Sequence, residues 1–206
     1  MSGCLLLVRH GQSEWNALNL FTGQKDIGLT ERGRNEAREA GALLAKRGMV
    51  PDETHTSVLS RAIETASIML ETLECDAPVF RSAALNERDY GDLTGMNKDE
   101  ARKTWGEEQV HLWRRSYAIA PPGGESLRDT FERVGVYYKA EILPRLVEGK
   151  CLLVVAHGNS LRSLAGFLED LDEEGIQATN IETGEILLYR LNADGSLAGK
   201  ENLAPA

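Results

Sequence analysis

The stretch LLLVRHGQSEWN, Leu5 to Asn16, decides how the rest of the chain is read. Its first half, Leu5-Leu6-Leu7-Val8, is an apolar run of strand length, and such a run reads as a strand buried on both faces. Arg9, His10 and Gly11 follow at its end. There the carboxyl edge of an open α/β sheet meets solvent, and ligands of such sheets bind at that edge. Gly11 lets backbone N–H groups approach an anion, and Ser13 and Asn16 add neutral donors. The pattern predicts an anion site in which His10 is a nucleophile toward phosphorus.

A second stretch repeats the device. Cys151 to Ala156, CLLVVA, is an apolar run that ends in His157-Gly158-Asn159. Adjacent parallel strands would bring both imidazoles to one edge, where one attacks and the other donates to phosphoryl oxygens as charge builds. Nδ1 of His10 should donate to a backbone carbonyl and leave Nε2 free. Two core histidines that merely end strands are the bland alternative, and the repetition with flanking Arg and Gly weighs against it.

Phosphorus also needs positive charge. Arg9, Arg61 and Arg162 lie near strand ends, and Arg88, Lys98, Arg114 and Arg115 lie further out. A guanidinium grips phosphate with two parallel bonds, which an ammonium cannot. Arg162, two residues into a helix, has the weakest claim because it could equally face solvent. Arg114-Arg115 alone would read as a solvated helix face. Glu87, between Asn86 and Arg88, is the best-placed carboxylate to carry a proton.

Between the two strands the pattern alternates. Thr30 caps a helix that runs to about Lys46, stopped by Gly48 with Pro51 beyond. His55-Thr56-Ser57, read as a short edge-like strand, leads into a helix through Leu59, Ala62, Ile63, Ala66, Leu70 and Leu73. Pro78-Val79-Phe80 is a brief strand. Asn97 and Glu100 form a capping box for a helix to about Trp105, and His111 to Ser116 is helical. Ser126 caps a long helix through Leu127, Phe131, Val134, Tyr138, Ile142 and Leu146, kinked by Pro144. A helix from Ser160 follows the second apolar strand. Ile186 to Leu191 is a last strand, and Asn192 to Gly195 turns a terminal hairpin. The expected fold is a three-layer α/β/α sandwich with a mostly parallel sheet. It forms one domain over residues 1–206, with residues 85–124 as a helical lid.

Composition narrows the function. The chain has 206 residues and a formal net charge of −9, which argues against nucleic-acid or anionic-membrane partners. An anionic substrate therefore needs a local cationic cluster. No apolar run is long enough to span a membrane, and Arg9 interrupts the only N-terminal apolar run, so no signal peptide is expected. Cys4, Cys75 and Cys151 lack metal-like spacing and suit reduced thiols in a cytoplasmic protein. There is no HExxH and no Walker glycine loop, so no metal is expected.

RHGQSEWN, TSVLSRAIETA, LNERDYGDLTGMNK, WRRS and AHGNSLR together resemble the histidine phosphatase superfamily, and within it the cofactor-dependent phosphoglycerate mutases. The resemblance spans Leu5 to about Leu191. It implies catalytic His10, Glu87 and His157, with Arg9 and Arg61 around the transferred phosphoryl group. It implies a substrate-binding set of Arg9, His10, Gly11, Gln12, Ser13, Glu14, Trp15, Asn16, Thr22, Gly23 and Arg61. Glu87, Arg88, Asp89, Tyr90, Lys98, Arg114, Arg115, Gly158 and Asn159 complete that set. The implied reaction interconverts 2- and 3-phosphoglycerate, primed by 2,3-bisphosphoglycerate and without metal. Small-molecule phosphoglycerates are then the partners, and a homo-oligomer, dimer or tetramer, stays open. Three features depart from many mutases: a short passage from Ser116 through APPGG, a brief tail after Leu191, and Gln24 in place of an aromatic. A more open pocket would admit water. The rivals are therefore a histidine phosphatase that hydrolyses a small phosphate ester, and a non-catalytic phospholigand-binding protein.

Overall fold

The structure is a computed structural model that describes residues 3–203. In chain order the elements are β1 (Gly3–Arg9), a single turn α1 (Glu14–Ala17), α2 (Glu31–Lys46), β2 (Glu53–Thr56), α3 (Ser60–Thr72) and β3 (Val79–Arg81). Then come α4 (Lys98–Trp105), α5 (Glu107–Arg115), α6 (Leu127–Tyr137), α7 (Leu143–Val147) and β4 (Cys151–Ala156). The chain finishes with α8 (Gly158–Glu169), α9 (Glu173–Ala178), β5 (Ile186–Leu191) and β6 (Leu197–Leu203).

The six strands form one sheet in the order β3-β2-β4-β1-β5-β6. The first four are mutually parallel, and β5 pairs antiparallel with β1 and with β6. Alternation along the two apolar runs divides the core. Leu5, Leu7, Leu152 and Val154 pack against Val134, Leu161 and Leu164 of α6 and α8. Leu6, Val8, Leu153 and Val155 pack on the other face against Leu44, Ala62, Ala66 and Met69 of α2 and α3. Helices on both faces explain why these strands read as continuous apolar runs. β1 and β4 are neighbours in register, with Arg9 opposite Ala156, so His10 and His157 leave the sheet at the same edge.

Several local expectations are corrected. β2 is not an edge strand: it lies between β3 and β4, and all four of its residues are buried. Its charge and one ring nitrogen find partners, whereas the Thr54 and Thr56 hydroxyls have none among the described residues. Nδ1 of His55 meets the Tyr137 hydroxyl at 2.9 Å, and Glu53 accepts from Arg145 Nε at 2.7 Å and from Lys150. The edge strand on that side of the sheet is β3, whose three residues are exposed. The long helix from Ser126 is interrupted by a π-helical turn at Tyr138–Ile142 before α7. Pro144 has no N–H to give the carbonyl one turn back, so the ladder widens ahead of it. α8 begins at Gly158 rather than Ser160, because Ser160 Oγ accepts the His157 N–H at 3.1 Å and draws His157 into the cap. Asn97 caps α4 alone, accepting from the N–H groups of Asp99 and Glu100 at 2.9 and 3.3 Å.

Within residues 85–124, Leu85 belongs to the core between the sheet and α6. Leu93, Ala101, Val110 and Trp113 instead form a small separate cluster, closed by Phe21 from the loop between α1 and α2. This cluster seats α4 and α5 over the edge where the two histidines emerge.

Candidate active site

A cavity of about 150 Å³ lies at that edge. Arg9 and His10 from the end of β1, Arg61 from the first turn of α3, and Gly158, Asn159 and Arg162 from α8 form its floor. Asn16, Thr22, Gly23, Glu87, Tyr90, Lys98, Arg114 and Arg115 complete the wall. Six cationic side chains therefore face one carboxylate, in a chain whose net charge is −9.

Both histidine rings are buried, with centroids 4.9 Å apart and planes at 60°. Nδ1 of His10 lies 2.7 Å from the Gly11 carbonyl oxygen. A carbonyl oxygen can only accept, so Nδ1 carries the proton. Nε2 is then a lone pair, but it is not free as expected, because Arg61 Nε donates to it at 3.3 Å. Burial, reinforced by Arg61 and Arg9, holds the His10 imidazole well below its usual range. Burial, with Arg61 next, does the same to His157. Both rings are thus neutral near pH 7. His157 does not reach the cavity wall: it stands behind, fully buried, with Nε2 2.7 Å from Ser57 Oγ.

The arginines are held by carbonyl oxygens. Arg61 donates from its two terminal nitrogens to Lys25 O at 2.9 Å and Gly23 O at 2.8 Å. Arg9 donates to Ile181 O at 2.7 Å, and Arg162 to Thr179 O at 2.8 Å. Burial lowers both Arg61 and Arg162 to about 10, which still leaves them cationic. Two buried polar atoms on the wall, Arg9 Nε and Thr22 Oγ1, have no partner among the described residues.

Glu87 is oriented one-sidedly. Its Oε1 accepts from the Arg88 N–H at 2.8 Å, the Asn159 N–H at 3.1 Å and Asn159 Nδ2 at 3.0 Å. That leaves Oε2 for a proton. Gly158 lies beside that oxygen: a Cβ there would stand 3.7 Å from Oε2, in ordinary van der Waals contact.

Other residues of the expected set lie off the cavity wall. Gly11 faces α2, and its N–H donates to Thr65 Oγ1 at 3.1 Å. A Cβ there would meet Gly33 O at 2.1 Å, so close packing, not access to an anion, demands glycine. Gln12 is tied to Glu36 and Thr30. Ser13 caps α1 through the Asn16 N–H, exposed Glu14 lies in that turn, and Trp15 lies against Gly95. Arg88 is fully buried, donates to Arg114 O at 3.0 Å and stacks 4.8 Å from the Tyr90 ring centroid. Asp89 closes its own turn on the Gly91 N–H. Arg88 and Asp89 thus shape the wall without forming it. Leu20, Phe21, Asn180 and Ile181 line the cavity although no sequence pattern singles them out, and Arg162, with the weakest claim in sequence, is buried in the floor. Only Arg162 left a signal, by its place after His-Gly-Asn-Ser-Leu.

The model of the histidine phosphatase superfamily, branch 1, matches residues 5–202. A protein of Chelativorans sp. (strain BNC1) named 2,3-bisphosphoglycerate-dependent phosphoglycerate mutase is 60% identical over 98% of this chain and 99% of its own. One of the same name from Parvibaculum lavamentivorans is 57% identical over 98% and 97%. Among solved structures, a mycobacterial glucosyl-3-phosphoglycerate phosphatase superposes with a TM-score of 0.81 at 25% identity, covering 98% of this chain and 97% of that one. With its paired strand-end histidines and cationic floor, the chain belongs to the histidine phosphatase superfamily.

Proposed function

We propose that the chain interconverts 2- and 3-phosphoglycerate by passing a phosphoryl group through His10. The observation that carries this reading is the identity of 55 to 60% with proteins named as bisphosphoglycerate-dependent mutases, over nearly the whole of both chains. The cavity agrees with it. A substrate with a carboxylate and a phosphate needs cations at both ends, and the six surround the space on floor and lid. The same six, with the unpartnered Arg9 Nε and Thr22 Oγ1, suit a still more anionic primer. When bound, 2,3-bisphosphoglycerate supplies the phosphoryl group that loads His10.

Each residue has a distinct part in the transfer. The Nδ1–H bond to Gly11 O fixes the tautomer, and the in-plane lone pair of Nε2 attacks phosphorus. As the P–O bond breaks, Oε2 of Glu87 gives its proton to the leaving ester oxygen. In the return step it takes the proton of the hydroxyl that attacks phosphohistidine. Arg9 and Arg61 neutralise the equatorial oxygens. Lys98, Arg114, Arg115 and Arg162 hold the far end and accept carboxylate or phosphate, so the two ends can exchange. These cations supply the charge compensation, and no divalent ion enters the scheme.

The test adds 3-phosphoglycerate with a trace of 2,3-bisphosphoglycerate and follows 2-phosphoglycerate and free phosphate. Isomer formed well in excess of phosphate supports the reading; free phosphate without isomer assigns the chain to hydrolysis.

A further inference from the structure

Cys4, Cys75 and Cys151 are all free and partly exposed. Two of them meet. Cys4 is the second residue of β1 and Cys151 the first of β4, and they stand directly opposite each other in the parallel register. Both pack on the α2–α3 face of the sheet, so their side chains point the same way. Neighbouring strands run about 4.7–4.9 Å apart, inside the range of about 4.4–6.8 Å that a disulfide spans between Cα atoms. The Cβ atoms of a disulfide sit closer, at about 3.5–4.5 Å, and the starts of two strands can yield that much. The surroundings of the two thiols differ. Arg190 stands opposite Cys4 on β5, whereas Asp52 Oδ2 accepts the Cys151 N–H at 2.7 Å. The Cys151 S–H donates to Cys4 and, with Arg190, holds the Cys4 thiol below its ordinary range against the effect of burial. The same bond, followed by burial, holds the Cys151 thiol above its ordinary range. Cys75 is placed differently: its S–H donates to Pro51 O at 3.7 Å, a bond that only the protonated thiol makes.

We propose that Cys4 and Cys151 form a peroxide-responsive modification site, in which Cys4 is oxidised first and Cys151 closes on it to give a reversible disulfide between β1 and β4. The Cys4 thiolate attacks one oxygen of hydrogen peroxide. The O–O bond breaks, the other oxygen leaves as hydroxide and takes up a proton as water, and Cys4 becomes a sulfenic acid. That oxidation removes the thiolate that held the Cys151 proton. The Cys151 sulfur then attacks the Cys4 sulfur, the S–O bond breaks, and the hydroxyl leaves as water with the Cys151 proton. Two thiols lose two electrons in all, and one peroxide is reduced to two waters. Closing the Cβ atoms leaves the bond strained, and a strained disulfide is readily reduced. The bond staples the two strands that carry His10 and His157, at the ends away from the histidines. Neither step involves His10, so the site stands whether the cavity isomerises or hydrolyses its substrate.

Non-reducing peptide maps of the intact, fully reduced protein after a few equivalents of hydrogen peroxide at neutral pH test it. The peptides of Cys4 and Cys151 should appear joined, and reduced glutathione should separate them. The Cys75 thiol should be lost at least about tenfold more slowly than that of Cys4. In Cys151→Ser, dimedone should trap a sulfenic acid on Cys4. In Cys4→Ser, peroxide should consume the Cys151 thiol at least about tenfold more slowly than in the wild type. The proposal is overturned by the absence of a link, by a link through Cys75 or between two chains, or by one that glutathione cannot open. Loss of Cys151 at an unchanged rate in Cys4→Ser overturns it as well. If either variant does not fold, the wild-type map alone decides.

Discussion

Gly11→Ala separates two explanations of the glycine after His10. The glycine could serve an anion or it could serve packing, and the structure favours packing. A Cβ at Gly11 would lie 2.1 Å from Gly33 O and 2.7 Å from Gly33 C. Gly33 stands in the same relation to its neighbour, since a Cβ there would lie only 2.2 Å from Gln12 O. Two backbones, the exit of β1 and the first turns of α2, therefore touch through a glycine pair. Relieving the contact needs a shift of main chain on the order of an ångström, since no flexible side chain can yield. Overpacking of this kind costs about 1–3 kcal/mol and occasionally more, and the upper end applies because both sides are backbone. For a domain of this size each kcal/mol moves the melting midpoint by about 2–4 °C. Gly11→Ala should thus lower it by about 6–12 °C in calorimetry. Gly33→Ala should do the same. The double variant should lose less than the sum, because the strand and helix need to part only once. A melting midpoint within about 2 °C of wild type, together with lost phosphoenzyme formation, would refute the packing account and restore the glycine to the anion.

Glu87→Gln should slow phosphoryl transfer by ~10²-fold or more in single-turnover assays, with His10 labelling by the primer still detectable; an unchanged rate would exclude Glu87 as proton carrier. His10 and His157 are held well below the ordinary imidazole value of 6.5, and His55 is lowered to about 4, each first by burial. Lowered folded values mean that the unfolded chain binds more protons in this window, so stability is present above about pH 6.5 and is lost as pH falls below it. Urea unfolding should show a slope of about 1.4 kcal/mol per pH unit for each such imidazole, and a flat profile between about pH 7 and 5 would contradict the neutral rings. Chelator should leave isomerisation unchanged; loss restored by a divalent ion would contradict the cation scheme. Inorganic phosphate at about a hundred times its dissociation constant should stabilise the fold by about 2.7 kcal/mol, and an equal rise with chloride at matched ionic strength would show that no specific anion site exists.

The parts of the molecule legible in sequence were those set by local repetition. Leu5 to Val8 and Cys151 to Ala156 are apolar at every position because both faces of these strands are covered, and His-Gly at each end marked the edge where they emerge. β2 was less legible. Its burial is compensated by Tyr137, Arg145 and Lys150, which lie 82 to 97 residues away along the chain. No window around Glu53 to Thr56 contains that information, so a polar strand inside the sheet read as an edge. Arg162 was ambiguous for a similar reason. Its helix turns it inward, but the Thr179 carbonyl that holds it comes from beyond the helix end. Asn180 and Ile181 line the cavity through that same return of the chain, which no motif announced.

Many arginines away from the cavity are paired with carboxylates, among them Arg34 with Glu64, Arg133 with Glu125 and Arg145 with Glu53; buried Arg88, which shapes the wall from behind, is not. None of the six cations around the cavity makes such a pair among the described residues; Arg9, Arg61 and Arg162 are oriented by main-chain carbonyls instead. The difference decides what the site can do. A carboxylate would orient a guanidinium equally well, but it would cancel the charge and compete with an incoming phosphate for the same donors. A carbonyl fixes the geometry and leaves the net charge in place. The one carboxylate admitted, Glu87, has three N–H donors on Oε1 and is turned so that only Oε2 is available to exchange a proton. Uncompensated charge of this kind is costly until an anion binds, as the lowered values of Arg61 and Arg162 show. A bound polyanion removes that cost, which is why a chain of net charge −9 can select a substrate of the same sign.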